Sequence, residues 1–372
     1  MNLISLKMAT KLNAFKQVDA STLSDLRSLS KEVKLLPSSA NYDWFTSYND
    51  ADSLVCNGEV ITLGRARYAN IKYYKGDFVS SNNVIIQSIN ETQIRTKYLY
   101  YFLQKTKKDY YVEGTTYPKF DQDSFDKKHL PLYSIDIQDE IIAYLDSINN
   151  CINNKITELN QLDELIKSRF IELFGDAIQN EKHWPIKKLN DITDVRDGTH
   201  DSPKYYDKGY PFVTSKNLID GKIDFSTCQL ICEEDYLHFN DRSKVDDGDI
   251  LMPMIGTIGG AIIVKKDRDF SIKNVALIKF NKDNSIVNRK FILNILNSDA
   301  MNSYFDNTKK GGTQKFIALG VIRDIPIIMP PIELQNIFAS FVELIDKSKF
   351  SVQKEIELYQ ELLDKKMDEY FG

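Results

Sequence analysis

The chain has 372 residues, of which 42% are hydrophobic and 27% are charged, and its formal net charge at pH 7 is −5. This length exceeds one small domain and predicts about two domains with ordinary buried cores. No apolar run approaches the roughly 18 to 20 residues of a membrane span, and the first residues lack the basic and apolar regions of a signal peptide, so we expect a soluble, cytoplasmic protein.

The first half of the chain predicts a mixed domain followed by a long helix. The domain, residues 1–137, combines β-type runs such as residues 59–63 with a helical segment near residues 95–105. It ends in an apolar, proline-containing strand at residues 130–132. Residues 138–175 then carry helical periodicity without an internal glycine or proline.

The second half repeats this order. Its domain, residues 176–334, has β-type runs such as residues 249–252, a helical segment at residues 288–297 and the apolar strand at residues 325–327. Residues 335–372 predict a second long helix. The predicted order is therefore domain, helix, domain, helix.

The two long helices are copies of one another. Residues 138–175 align without a gap on residues 335–372 at a constant offset of 197, and each copy ends in Phe-Gly. The identical pairs are Gln138/Gln335, Ile148/Ile345, Glu158/Glu355, Glu164/Glu361, Leu165/Leu362, Glu172/Glu369, Phe174/Phe371 and Gly175/Gly372. Related Gly-Thr loops precede both copies, so the repeat covers each whole half.

Both helices carry one heptad pattern over about five heptads, which predicts that the two copies pair. The alternative is that each helix packs on its own domain, since heptads also occur in ordinary bundles. The residues expected to form the pairing seam are Leu145, Ile148, Ile152, Leu159, Leu162, Ile166, Val342, Ile345, Val352, Ile356, Tyr359 and Leu363.

The net negative charge belongs mainly to the helices. Residues 131–180 carry −6 and residues 325–372 carry −4, whereas residues 1–130 carry +4 and residues 181–324 carry +1. The long domains can therefore present local positive patches. A nucleic-acid partner remains compatible with the overall charge.

The sequence contains no convincing motif for nucleotide binding, methyl transfer or DNA cleavage. Gly256–Gly260 precedes a β-type run and predicts a turn between strands instead of a P-loop, which needs a following helix. No Asn/Asp-Pro-Pro-Tyr/Phe motif of amino-methyltransferases occurs. Glu32 and Lys34 have the Glu-x-Lys spacing of metal-dependent nucleases, but no carboxylate cluster supports that alternative.

Histidine and cysteine also give no catalytic or metal site. His200 follows Asp197-Gly198, a turn signal, and has no recognisable nucleophile beside it, so we expect a loop-stabilising or ligand-orienting role. The four cysteines include no C-x-x-C pair, and Cys228 and Cys232 are expected to be ordinary buried or half-buried thiols. The sequence therefore predicts no catalytic residue, no metal ligand and no disulfide scaffold.

Polar and basic loops between strands recur in both halves of the chain, and this recurrence is the feature that favours DNA binding. Arg, Asn and Gln can read base edges, while Lys, Ser and Thr mainly bind phosphates; for any single loop, a solvated turn is the alternative. The candidate DNA-binding residues are Arg65, Arg67, Tyr68, Ser81, Asn82, Thr115, Lys119, Lys204, Tyr205, Thr214, Ser215, Lys216, Asn217, Thr257, Lys309, Lys310, Thr313, Gln314 and Lys315.

With these features the chain resembles the specificity (S) subunits of type I restriction-modification enzymes over nearly its whole length. The motifs that carry the resemblance are Leu173-Phe174-Gly175, Tyr370-Phe371-Gly372, Trp184-Pro185-Ile186-Lys187-Lys188-Leu189, Gly198-Thr199-His200, Ser215-Lys216-Asn217-Leu218, Gly248-Asp249-Ile250-Leu251 and Gly256-Thr257-Ile258-Gly259. One departure is that residues 1–20 lack the Trp-x-x-x-x-Leu opening seen at Trp184, which predicts a divergent or truncated start of the first domain.

The resemblance implies an α+β fold of two similar α/β target recognition domains separated by two long conserved helices, which pair as an antiparallel coiled coil with pseudo-two-fold symmetry. It implies that each domain reads half of a bipartite, asymmetric DNA target and that the helices set the spacer and dock two modification subunits. This chain would then bind no cofactor itself. S-adenosylmethionine would belong to the modification subunits, and ATP and Mg would belong to the restriction subunits.

Two further readings stay open at this point. The chain could be the specificity subunit of another methyltransferase-nuclease system, or a coiled-coil scaffold without a DNA role. Neighbouring genes would decide the first, and salt-dependent retention on DNA together with a partner subunit would argue against the second.

Overall fold

The computed structural model describes residues 2–39, 43–65, 70–112, 117–219, 221–255, 260–280, 286–308 and 316–372. The chain forms two compact units. The first contains Met1–Thr157 and Gln353–Gly372, and the second contains Glu158–Val352. Among the described residues, no helix combines the length and the apolar character that a membrane crossing requires.

The first unit is built around a six-stranded sheet and ends in a long helix. Its elements are β1 (Asn2–Ser5), α1 (Leu6–Ala9), β2 (Thr10–Leu12), α2 (Ala20–Asp25), β3 (Val33–Leu36), β4 (Trp44–Thr46), α3 (Tyr48–Ala51), β5 (Cys56–Gly64), β6 (Ile71–Ser80), β7 (Asn83–Ser88), α4 (Thr96–Thr106), β8 (Tyr111–Val112), β9 (Lys119–Phe120), α5 (Gln122–Lys127), β10 (His129–Leu132) and the part of α6 (Ile135–Phe174) up to Thr157. The strand order is β2-β7-β5-β6-β3-β4, in which only the β3/β6 pair is parallel. β-Branched residues such as Val60, Ile61 and Ile85 fill the buried positions of these strands, as their strand preference predicts.

The second unit contains a four-stranded sheet, β12-β20-β17-β18, and a three-stranded sheet, β16-β13-β19, in which β13 and β19 are parallel. Its elements are β11 (Ile186–Lys188), α7 (Leu189–Ile192), β12 (Asp194–Asp197), β13 (Tyr210–Thr214), β14 (Leu218–Ile219), β15 (Lys222–Ile223), β16 (Gln229–Ile231), α8 (Glu233–Ser243), β17 (Ile250–Pro253), β18 (Ile262–Ile263), β19 (Ser271–Lys273), β20 (Val275–Lys279), α9 (Arg289–Leu296), α10 (Asp299–Thr308), α11 (Leu319–Arg323), β21 (Pro326–Ile328) and the part of α12 (Ile332–Phe371) up to Val352, together with the end of α6. The predicted helical segments of the two halves correspond to α4 and α9.

The start of the first domain has the same local structure as the start of the second. β1 pairs with β10 as β11 pairs with β21, both antiparallel. The hydroxyl of Thr10 donates to the carbonyl of Leu6, and the hydroxyl of Thr193 donates to that of Leu189, each at 2.7 Å. The first strand and helical turn of the first domain therefore match those of the second in backbone structure, although residues 1–20 contain no tryptophan.

The long helices pair antiparallel within each unit, as predicted. In the first unit, Ile141 and Leu145 of α6 share a core with Met367 and Phe371 of α12. In the second, the Phe170 ring of α6 lies 5.4 Å from the Phe338 ring of α12. In both cases one helix contributes its beginning and the other its end. Pairing is thus observed, and the alternative in which each helix packs only on its own domain is wrong.

The expected seam residues are largely shielded from solvent. Leu145, Ile148, Ile152, Ile166, Val342, Ile345, Val352 and Ile356 are buried, and Leu159, Leu162, Tyr359 and Leu363 are half-buried. Ion pairs flank the seam, with Lys155 Nζ 2.8 Å from Glu355 Oε2 in the first unit and Lys349 Nζ 2.5 Å from Asp163 Oδ1 in the second.

One buried glutamine fastens each helix to its domain. Gln138 accepts a hydrogen bond from the backbone N–H of Arg95 at 2.9 Å and donates to the carbonyls of Gln93 and Tyr133 at 2.8 and 2.9 Å. Its repeat partner Gln335 accepts from the N–H of Asn288 at 2.9 Å. Arg95 and Asn288 directly precede α4 and α9, so these bonds fix both short helices against the long ones.

Gln138→Ala should therefore reduce the free energy of unfolding by about 1–3 kcal/mol, because it leaves buried backbone groups unpaired. Gln161→Ala, an exposed glutamine on the same helix, should change it by less than about 0.5 kcal/mol. Urea unfolding of both variants measures the difference. Equal unfolding midpoints for the two variants would show that the Gln138 bonds do not stabilise the domain.

Candidate nucleic-acid interface

In the first unit, Asn83 ties three chain segments together where strands end. Its backbone N–H donates to Gln17 Oε1 at 2.8 Å, and its side-chain amide donates to the carbonyl of Leu36 and to the hydroxyl of Ser80 at 2.8 and 3.0 Å. Gln17 follows β2, Leu36 ends β3, and Ser80 ends β6. The loops after these strands consequently form one surface.

Basic side chains lie beside this junction, since Gly64 at the end of β5 pairs with Asn83. Arg65 is exposed directly after β5, with its guanidinium 3.5 Å from Asn13 Oδ1. The backbone N–H of Phe120 donates to the carbonyl of Arg65 at 3.0 Å, which places exposed Lys119 on the neighbouring strand β9. Lys72 donates to the carbonyls of Pro37 and Ser39.

The Lys72 ammonium has a shifted protonation equilibrium. Burial, followed by the charge of Lys34, lowers the pKa of Lys72 to about 8. Its two carbonyl acceptors hold the segment after β3 in place. Lys72 therefore supports the loop surface, while Arg65 and Lys119 are the exposed cations among the described candidates of this unit.

In the second unit, the ends of β12, β13 and β19 meet at Asn274. Its backbone N–H donates to the carbonyl of Thr199 at 3.3 Å, and its carbonyl accepts from the hydroxyl of Ser215 at 3.3 Å. His200 Nδ1 lies 2.6 Å from Asn274 Oδ1. The Gly-Thr-His loop and the Thr-Ser-Lys-Asn loop are thus neighbours, because both form hydrogen bonds with Asn274.

Two of the predicted contact residues are buried inside the domains. Asn217 accepts from both the N–H and the hydroxyl of Thr214 at 2.9 Å and donates to Thr227 Oγ1 at 3.1 Å. Ser81 is also buried. Because both side chains are buried, neither can contact a ligand directly. These residues belong to the internal structure of the loops.

The remaining described candidates are accessible. Lys204 and Tyr205 lie before β13, with both side chains exposed, and Lys216 is exposed after it. Thr214 and Ser215 are half-buried. Those that fall outside the described residues are Arg67, Tyr68, Thr115, Thr257, Lys309, Lys310, Thr313, Gln314 and Lys315.

The Ser81-Asn82 turn has a structural counterpart at Asn274 that was not evident from the sequence. Asn82 lies between β6 and β7 with φ +52°, and Asn274 lies between β19 and β20 with φ +53°. Each turn follows the strand that pairs in parallel with β3 or β13. A left-handed asparagine after a β-type run is the signal that could have identified Asn274.

The weaker sequence motifs have structural partners. Glu32 Oε2 accepts from the N–H of Tyr48 at 3.1 Å, and Lys34 Nζ forms an ion pair with Asp43 at 2.8 Å. Cys228 is half-buried, and burial raises the pKa of its thiol to about 11. Across the described ranges, no group of three or more His, Cys, Asp or Glu side chains is placed to hold a metal ion.

The fold and the loops define a class: a duplicated protein in which each unit joins a mixed α/β domain, with strand-end loops, to an antiparallel helix pair. The sequence matches the family "Type I restriction modification DNA specificity domain" over residues 18–164 and 181–361. The chain belongs to this family.

Relatives with this description match along most of the chain. The type I restriction enzyme MjaVIII specificity subunit of Methanocaldococcus jannaschii is 24% identical over 323 residues, which cover 81% of this chain and 75% of the relative. The EcoBI specificity subunit of Escherichia coli is 26% identical over 202 residues, which cover 53% of this chain and 42% of the relative.

Solved structures show the same fold. The S subunit of the type I restriction-modification system from M. genitalium aligns with a TM-score of 0.57 and 13% identity, covering 100% of this chain and 96% of that one. A chain from a structural study of type I R-M complex assembly and conformational transition aligns with a TM-score of 0.55 and 14% identity, covering 100% and 97%.

Proposed function

We propose that this chain is the DNA-sequence-specificity subunit of a type I restriction-modification complex, in which each recognition domain reads one half of a bipartite, asymmetric target. The observation that carries the proposal is the match of both halves to the DNA specificity domain family. The strand-end loops of each unit are the surfaces that would meet the DNA. The two recognition domains would be residues 1–137 and 176–334, and the two conserved helices would be residues 138–175 and 335–372.

Contacts with phosphates would supply most of the affinity, and contacts with base edges the specificity. Arg65, Lys119, Lys204 and Lys216 are exposed and would neutralise phosphates. Arginine and asparagine side chains on the same loops, such as Asn82, are suited to base edges in the major groove. The modest basic excess of the domains supports weak binding by the chain alone and tighter binding in a complex.

The paired helices would set the distance between half-sites and dock two modification subunits. Both helices expose large apolar side chains, which are available to a docking subunit. On α6 these include Ile137, Tyr144 and Leu165, at multiples of seven residues. On α12, Leu344 and Leu358 are exposed with a spacing of fourteen.

Chemistry in this proposal belongs to the partners. The modification subunits would bind S-adenosylmethionine and methylate adenine, and restriction subunits would use ATP and Mg for translocation and cleavage. This chain would contribute recognition and no catalytic residue. A specificity subunit of a different methyltransferase-nuclease system would share the same DNA interface, and the genes beside this one distinguish the two.

Arg65→Ala and Lys315→Ala should each weaken DNA binding by the complex of this chain with its modification subunits. Loss of one phosphate contact lowers the salt slope, which is the steepness of the fall of log K with the logarithm of the salt concentration, by about one. It lowers the affinity near 0.1 M salt by about five- to tenfold. Lys31→Ala, an exposed lysine before β3, is the control and should bind as the wild type does.

Titrations of a labelled DNA duplex at several salt concentrations measure this effect. Unchanged affinity in both loop variants would refute the loop assignment. Absence of salt-dependent DNA retention by the wild-type complex would refute the proposed function itself and favour a coiled-coil scaffold.

A further inference from the structure

A buried carboxylate in the second domain holds two exposed side chains. Asp197 ends β12, and its side chain is 8% exposed. It lies 3.1 Å from His200 Nε2 and forms an ion pair with Arg242 Nη2. The side chains of His200 and Arg242 are 65% and 69% exposed. A charge-assisted hydrogen bond to a buried carboxylate fixes the orientation of an exposed guanidinium.

The geometry distinguishes the roles of the two exposed side chains. Both ring nitrogens of His200 are occupied, Nε2 by Asp197 and Nδ1 by Asn274 Oδ1 at 2.6 Å. His200 is therefore a strut between β12 and the turn at Asn274. The Arg242 guanidinium has five N–H donors and an exposed surface, so it can bind an anion while Asp197 holds Nη2.

The backbone beneath this group is fixed closely. A Cβ atom on Gly198 would lie 2.3 Å from the carbonyl oxygen of Ile272, so only glycine lets the loop approach β19 at this point. The Arg196 guanidinium donates to the carbonyl of Arg242 at 2.8 Å and forms an ion pair with Asp194 at 2.6 Å. Asp194 is thereby engaged by Arg196, and Asp197 remains the carboxylate that orients Arg242.

The group adjoins the proposed DNA surface. His200 contacts Asn274, whose carbonyl accepts from Ser215 in the loop after β13. Arg242 belongs to the last turn of α8, and neither it nor Asp197 was among the residues that the sequence identified as DNA-binding.

We propose that Arg242 binds a DNA backbone phosphate in the second recognition domain and that Asp197 is the positioning residue that holds its guanidinium towards the DNA. This inference rests on the proposed function and adds a contact to it. A phosphate oxygen would accept from the guanidinium edge that Asp197 leaves free, which matches the bidentate preference of arginine for phosphate.

The test uses the complex of this chain with its modification subunits and two labelled DNA duplexes. One duplex contains the target sequence that methylation mapping identifies, called the methylated sequence below, and the other has a scrambled sequence. Arg242→Ala should weaken binding to both duplexes by the same factor, about five- to tenfold near 0.1 M salt, and should lower the salt slope by about one. Arg242→Lys should recover part of the affinity because it keeps the charge without the planar fork.

Arg268→Ala is the matched control, since Arg268 is also exposed and paired with a neighbouring aspartate, Asp267, but it precedes the start of β19, whereas the Asp197 group contacts Asn274 at the end of that strand. This variant should bind as the wild type does. An Arg242→Ala complex that binds like the control would overturn the proposal. So would loss of affinity for the methylated sequence alone, which is the behaviour of a base contact.

A double-mutant cycle tests the role of Asp197. Asp197→Asn should weaken DNA binding in the wild-type background and have no further effect in the Arg242→Ala background. Additive effects would show that Asp197 acts only on the structure of the domain. Wild-type binding and methylation are measured in parallel, so failure of this contact is distinguished from failure of the proposed function.

Discussion

Replacing Phe174 by alanine should lower the free energy of unfolding of the second unit by about 3–5 kcal/mol. The side chain is fully buried, and its ring lies 4.8 Å from the Phe291 ring of α9 and 5.6 Å from the Phe338 ring of α12. The Phe170 ring lies 5.0 Å away on the same helix. Truncation would leave a cavity where the domain, α6 and α12 meet, because aromatic clusters of this kind cannot fully collapse.

Urea unfolding of the full chain, combined with hydrogen exchange of α9, measures this loss. Ile171→Ala is the control, since Ile171 is exposed three residues earlier on the same helix. It should change stability by less than about 0.5 kcal/mol. Equal stability of the two variants would mean that the Phe174 cluster does not join the helices to the domain.

Inserting one heptad into each long helix should lengthen the gap in the methylated DNA sequence by about three base pairs. Seven helical residues add about 10.5 Å, and the duplex advances about 34 Å per 10 base pairs. The insertions belong between Thr157 and Glu158 in α6 and between Val352 and Gln353 in α12, near the Lys155/Glu355 ion pair. A whole heptad preserves the apolar seam.

Methylation mapping of DNA from cells that carry the variant measures the gap. The same heptad placed in α6 alone is the control, and it should abolish methylation because it breaks the match between the two seams. An unchanged gap in the double insertion, with methylation retained, would contradict the role of the helices as a spacer.

The long helices could be predicted from sequence because their signal is local. The heptad pattern and the offset of 197 specify both the length of each helix and the presence of a similar partner. Helix boundaries were displaced by a few residues: α6 begins at Ile135 and α12 at Ile332, upstream of the repeat boundaries at residues 138 and 335. The domain limits drawn at those positions stay predictions.

The loop surfaces could be predicted only in part because they depend on contacts distant in sequence. Arg242 and Asp197 are 45 residues apart, and His200 and Asn274 are 74 apart. The antiparallel β12/β20 pair, with Asp197 opposite Ala276, brings the His200 and Asn274 segments together, and no local pattern specifies that pairing. For the same reason sequence could not show that Asn217 faces inward, although it recognised a polar loop there.

The central claim is that this chain determines where a partner methyltransferase acts. Co-expression with a cognate methyltransferase subunit, followed by single-molecule sequencing of host DNA, tests that claim most directly. We expect adenine methylation at a two-part sequence with a fixed gap, which disappears when this chain is deleted. Methylation that persists unchanged without the chain, or no methylation with an intact partner, would contradict the account.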